Sequence, residues 1–206
     1  AELDRVIAAH GNEAIYAGSY GWASAGRFHH APGQLHRFLN ALGGYTKSVN
    51  TYSFAAAEVI VPHVIGHFRN YIYNQTSWTS VRDHCQLFVA FGGVALKNGQ
   101  IGQGGLGRHI QKESILEAHK NGVEFISVSP LRSDMIDDVD AAWLSIRPNS
   151  DAALMIGLCH VLFDEGLHDR AFLDRYCVGF DQFADYLTGS NDGIVKDAAW
   201  AGAICA

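Results

Sequence analysis

The sequence is short of cysteine, of positive charge and of long apolar runs, and each shortage removes a class of function. Its four cysteines, Cys85, Cys159, Cys177 and Cys205, form no CxxC pair and no close Cys/His doublet of zinc spacing, so a structural zinc or iron–sulfur cluster built from this stretch is not expected. Lys plus Arg number 15 against 21 Asp plus Glu, a formal charge of −6. Such a chain has no field for gathering phosphate backbones, and nucleic-acid binding is not expected. The most apolar window, Ala152 to Phe163, is interrupted by Gly157 and His160 and falls short of the ~20 apolar residues that a membrane span needs. The N-terminal AELDRVIAAHGNEAIYAGSYGW has no basic segment leading into an apolar one, so it does not read as a secretory signal, and the chain reads as soluble. No Walker, GxSxG or HExxH pattern occurs, which disfavours an ordinary ATP site, a serine hydrolase elbow and a zincin helix.

What is present reads as a globular domain of ordinary size or as part of a larger enzyme. Apolar residues make up 48% and charged residues 17%, which excludes disorder and collagen-like structure. Leu3, Val6 and Ile7 predict a short helix stopped at Gly11, and Ala14 to Ala17 a brief strand running into Gly18-Ser19-Tyr20-Gly21-Trp22. Leu35, Phe38, Leu39 and Leu42 recur at helical spacing before Gly43-Gly44. Gln86 to Phe91 is a continuous apolar run expected to be a strand buried on both faces, opening into Gly92-Gly93. The glycines between Gly99 and Gly107 suggest a ligand-facing or mobile loop. A helix over Ser114 to Asn121 and a strand over Val123 to Ser129 complete a βαβ unit. Trp143 to Ile146 is a third strand, and a long apolar helix follows, with Ser150 expected as its N-cap. The class is α/β, a Rossmann-like parallel sheet with flanking helices. Residues 1–80 form one segment and 81–206 the sheet domain.

In open α/β sheets ligands bind beyond the carboxyl ends of the strands. Here those ends offer glycine-lined amides, the cations Lys97 and Arg132, and the carboxylate of Asp151, a mixture suited to a nucleotide. Plain turns with solvated charges are the alternative for each loop. The eleven histidines invite a metal reading, above all His29-His30 with His36 and the His63/His67 pair. Adjacent histidines point apart, and Pro62 and Gly66 weaken the helix that His63 and His67 would have to share. Ser19 lies between glycines just past a strand, where it either caps a turn or lends a hard oxygen donor to an oxidised metal.

The run AGSYGWASAGRFHHAPGQLHRFLNALGGYTKSVNTYSFAAAEVIVPHVIG, followed in order by AFGGVALKN, ISVSPLRSD and IRPNSDAALMIGL, resembles the dimethyl sulfoxide reductase family of molybdopterin-dependent S- and N-oxide reductases. The resemblance covers essentially the whole chain. It implies an oxidoreductase with one molybdenum between two molybdopterin guanine dinucleotides, the metal ligated by the serine of GSYGW, here Ser19. It also implies a dinucleotide held by the strand-end loops, which carries over to Gly92, Gly93, Lys97 and Asn98, to Ser129, Pro130 and Arg132, and to Asn149, Ser150 and Asp151. Two departures stand out: Val94-Ala95 replaces the family's common Asn-Pro or Asp-Pro, and Ser129 its frequent Asp. The implied reaction is two-electron removal of an oxygen atom from a small S-oxide or N-oxide, with electrons from a donor protein or a reduced nicotinamide or flavin system. A complete reductase is far longer, so the chain reads as a central fragment that lacks the substrate-facing segment upstream and the C-terminal domain of the second dinucleotide site. The biotin sulfoxide branch of the family implies the cytoplasm, the trimethylamine N-oxide branch the periplasm. A non-catalytic nucleotide-binding or interaction module without metal is the competing expectation.

Overall fold

The computed structural model describes residues 1–100, 102 and 107–206. Most of the glycine-rich loop expected between Gly99 and Gly107 lies outside the described residues. By backbone contacts the chain divides into two compact units, one of residues 1–84 with 97–118, the other of 85–96 with 119–206.

The first unit opens with α1 (Glu2–His10), stopped by Gly11 at φ 76°, where a side chain would be strained. A 3₁₀ turn over Asn12–Ala14 leads into β1 (Tyr16–Ala17), which pairs in parallel with β2 (Thr46–Lys47), Tyr16 opposite Thr46. Between them lies α2 (Ala31–Ala41), which starts earlier than its apolar spacing suggests. His30 caps it by accepting from Gly33 N at 3.1 Å, and Pro32 sits in the first turn, where its missing N–H costs nothing. Asn12 donates from Nδ2 to Leu42 O at 2.9 Å and Gly44 O at 3.0 Å, tying the first turn to the end of α2. Then come α3 (Ala55–Val64), α4 (Phe68–Tyr73) and α5 (Trp78–His84). His63 ends α3 while His67 caps α4, accepting from Arg69 N at 3.2 Å, so the two histidines belong to different helices.

The second unit is built on three parallel strands, β3 (Leu87–Phe91), β4 (Glu124–Val128) and β5 (Ala142–Leu144), in that spatial order. The register sets Phe91 opposite Val128 and Val128 opposite Leu144. Between β3 and β4 in the chain comes α6 (Gln111–Lys120), whose residues 111–118, among them the fully buried Ile115 and Ala118, group with the first unit. After β5 come α7 (Asp151–Asp164), α8 (Arg170–Tyr176), α9 (Phe180–Leu187) and α10 (Ala198–Cys205). The α/β class with parallel strands and flanking helices agrees with the reading of the sequence.

One expectation about the sheet fails. Leu87, Val89 and Phe91 are 48%, 39% and 36% exposed, so β3 is not buried on both faces. The register explains why. These residues share a face with Ile126 and Val128 of β4, and within the second unit that face is covered by Ile146 after β5, by Ala153 and Leu154 of α7 and by Trp200 and Cys205 of α10. The cover lies over β4 and leaves the outer edge, β3, open. Helices α7 and α10 meet closely, since a Cβ on Gly157 would stand 2.7 Å from that of Ala201. Burying an aliphatic side chain such as Val128 stabilises the fold by about 1.5–3 kcal/mol, so this seam helps anchor the sheet.

Candidate functional site

Two groups of candidate residues are positioned, one in each unit. In the first, Ser19 follows β1 and lines a recess of about 340 Å³ together with Tyr16, Tyr20, His36, Ser48, Asn50 and Tyr52. Its Oγ accepts a hydrogen bond from Gly21 N at 3.3 Å, the geometry of a turn. The flanking glycines are there for space: a Cβ on Gly18 would approach the Ser48 Cβ to 3.2 Å, and one on Gly21 the Ala31 Cβ to 2.8 Å. Tyr20 bonds through its hydroxyl to Thr51 Oγ1 at 2.7 Å and Ser53 Oγ at 3.1 Å, anchoring the loop after Ser19 to residues 51–53. Those bonds, Ser53's foremost, hold the Tyr20 phenol below its ordinary pKa. The His36 imidazole is hydrogen-bonded through Nδ1 to the Tyr45 hydroxyl. Among the described residues no group of three or more His, Cys, Asp or Glu is placed to hold a metal ion. Sequence reading singled out Ser19 but missed the phenols around it, although Tyr20 lies inside the same GSYGW motif.

In the second unit the parallel strands bring their carboxyl ends to one edge. Gly92, at φ 82°, donates its N–H to Val128 O at 2.8 Å, and Gly93, at φ 73°, carries the chain away. A Cβ on Gly93 would lie 2.5 Å from both the Cβ and the carbonyl oxygen of Asp134, so only glycine permits this approach. Ser129 is buried, and its hydroxyl donates to Asp134 Oδ2 at 2.7 Å. Pro130 is exposed beside it, and Arg132, also exposed, opens a 3₁₀ turn that closes on Asp134. Arg132 lines a recess of about 480 Å³ with Asp137, Asp140, Trp143 and Ser127, whose buried Oγ has no hydrogen-bond partner among the described residues. After β5, Asn149 takes the left-handed conformation at φ 67°, and Asp151 opens α7, where the helix dipole favours a carboxylate.

Two expected features differ. Ser150 precedes α7 but does not cap it with its side chain; with φ −103° and ψ 3° its hydroxyl is turned back to donate to Arg147 O at 2.5 Å. A capping side chain needs an extended backbone, which Ser150 lacks. Lys97 and Asn98 lie in a 3₁₀ turn over Leu96–Gly99 and are grouped by backbone contacts with the first unit, whereas the other strand-end candidates belong to the second. Asp134 and Trp143, which knit the strand ends together, were missed because a lone Asp and a strand Trp carry no motif.

A family model described as "Molybdopterin oxidoreductase" matches residues 1–196. The chain belongs to the molybdopterin oxidoreductase family. The chain is 44% identical over 203 residues to the biotin sulfoxide reductase of Cereibacter sphaeroides, covering 98% of this chain and 27% of that protein. It is 39% identical over 204 residues to the dimethyl sulfoxide/trimethylamine N-oxide reductase of the same organism, covering 99% and 25%. It is 35% identical over 209 residues to the trimethylamine-N-oxide reductase of Haemophilus influenzae, covering 99% and 24%. This molybdopterin oxidoreductase chain therefore spans about a quarter of the length of the curated relatives it matches. Family membership implies molybdenum and molybdopterin as the cofactor. Among the described residues no helix is long and apolar enough to cross a membrane.

Proposed function

We propose that this chain is the portion of a molybdenum oxidoreductase that supplies the protein's ligand to the metal and one seat for a molybdopterin guanine dinucleotide, in an enzyme that removes an oxygen atom from a sulfoxide or N-oxide. The observation that carries the reading is the similarity, over nearly the whole chain, to proteins named as reductases of such oxides, joined to a serine hydroxyl set in an open recess at the family's motif. The residues fit the group. Ser19 Oγ is a hard oxygen donor on a loop whose glycines allow close approach, and its hydrogen bond from Gly21 N uses only its capacity as an acceptor. Gly92, Gly93, Ser129, Pro130 and Arg132 follow the ends of β3 and β4, and Asn149, Ser150 and Asp151 lie between β5 and the first turn of α7, a set that offers a cation for phosphate and a carboxylate for a ribose or base.

When bound, the molybdenum–pterin group supplies the two-electron exchange that the oxide requires. Ser19 would hold the metal through its Oγ. Tyr20, through Thr51 and Ser53, holds the loop that presents it. The enzyme's electrons would come from a donor protein or a reduced nicotinamide or flavin system, and the cytoplasm is the proposed compartment, with the periplasm as the alternative. Ser19→Ala in the full-length enzyme is expected to lower oxide reduction, driven by a reduced dye, by orders of magnitude while guanine content stays normal. Ser19→Cys should keep the metal but shift its absorption spectrum, because a thiolate is the softer donor. Near-normal turnover with an unchanged metal spectrum in Ser19→Ala would refute the ligand assignment and leave Ser19 a turn residue.

A further inference from the structure

The ends of β3, β4 and β5 are tied together through Asp134, a residue outside the proposed ligand set, and its partner Ser129. Asp134 accepts the Val94 N–H on its main-chain oxygen at 2.7 Å, which fixes the turn after β3. Its carboxylate accepts the Ser129 hydroxyl at 2.7 Å, which fixes the end of β4. Ser129 in turn is tied to β5, its carbonyl accepting from Trp143 Nε1 at 2.8 Å and its N–H donating to Leu144 O at 3.1 Å. Gly93 rests directly on Asp134, in a contact that no Cβ could share. The Ser129 hydroxyl has one proton, and it goes to Asp134, while a lone pair of the same oxygen takes Leu131 N–H at 3.3 Å.

We infer that Asp134 is the positioning residue of the dinucleotide seat: it sets the spacing of the three strand-end turns through Ser129 and Gly93, and with it the place of Arg132 two residues earlier in the same 3₁₀ turn. The inference rests on the dinucleotide reading above. A hydrogen bond to a carboxylate is shorter and stronger than a neutral one, which suits a tie that must hold a turn bearing an exposed cation. A ligand-binding group displaced by a fraction of an ångström loses its geometry, so the residue that holds the turn matters although it need not touch the ligand.

The test measures guanine retained per polypeptide after gel filtration of the full-length enzyme, alongside the thermal midpoint of each variant. Asp134→Ala should reduce retained guanine on the order of tenfold, the worth of one hydrogen bond to a charged group. Asp134→Asn keeps an acceptor oxygen for Ser129 and should retain guanine within about threefold of the unsubstituted enzyme. Ser129→Ala removes the same bond from its other end, and the double variant should lose no more than either single one, because two cuts in one bond do not add. Full retention by Asp134→Ala, loss by Asp134→Asn, or losses that multiply in the double variant would each overturn the inference. If Asp134→Ala does not fold, Asp134→Asn decides it, since Ser129 is itself part of the proposed seat. An unsubstituted enzyme with no guanine overturns the dinucleotide reading itself, a result seen before any variant is compared.

Discussion

Two adjacent glycines offer a sharp test of the packing at the strand ends. Gly92 and Gly93 both have positive φ, 82° and 73°, yet a Cβ on Gly92 would meet nothing within 4 Å, while one on Gly93 would lie 2.5 Å from the Asp134 backbone oxygen. Gly92→Ala therefore carries only the conformational cost of a side chain in the left-handed region, about 1–2 kcal/mol. Gly93→Ala carries that cost and must also drive Asp134 back by about an ångström. That movement breaks the Val94 N–H bond to the Asp134 carbonyl and the Ser129 bond to its carboxylate, each 2.7 Å long. Adding about 1 kcal/mol for the first and about 1.5–3 for the second brings the total for Gly93→Ala to roughly 4 kcal/mol or more. Urea denaturation followed by tryptophan fluorescence reads the difference, which at a slope of about 2 kcal/mol/M separates the two midpoints by roughly 1–2 M. Equal midpoints would show that Gly93 answers only to its backbone angles and that Asp134 yields freely.

Other expectations follow from single contacts. Asn12→Ala removes both bonds that tie the first turn to the end of α2 and should cost about 1–3 kcal/mol in the same denaturation assay, whereas Asn12→Asp, which cannot donate to Leu42 O and Gly44 O, should recover none of it. Lys196 is buried, with Nζ 2.7 Å from Asp192 Oδ2, and that bond foremost holds the Asp192 carboxyl below the usual carboxylate range. A carboxyl whose folded pKa is depressed stabilises the fold at neutral pH, so this contribution should disappear as pH falls below about 4 through the folded value. Asp192→Asn should remove that part of the acid dependence. It should also destabilise more than Lys196→Met, since it leaves a buried cation short of its partner, whereas Asp192 is part-exposed and solvated on its own. In the full-length enzyme, Asp151→Ala should release guanine if Asp151 binds the dinucleotide; a small loss of stability, about 0.3–1 kcal/mol, with guanine retained would reduce it to a helix-dipole carboxylate.

Much of the fold was legible in one dimension because its signals are local. The apolar runs at Leu87–Phe91 and Glu124–Val128, the glycine stops at Gly11 and after α2, and the helical spacing of α7 each depend on neighbours a few residues away, and sequence order reports those neighbours faithfully. Ser19 was legible for another reason: GSYGW carries its chemistry and its glycines in one short string. What the sequence could not decide was everything that depends on residues meeting across the sheet. Whether β3 is covered depends on how far α7 and α10 reach, and they stop over β4. Whether Ser150 caps its helix depends on a backbone angle set by the turn from Arg147. Above all, Asp134 became visible only when the fold brought Val94 to its main-chain oxygen, Ser129 to its carboxylate and Trp143 to the Ser129 carbonyl, because such a role comes from partners at positions 94, 129 and 143, separated along the chain and adjacent only in the folded sheet.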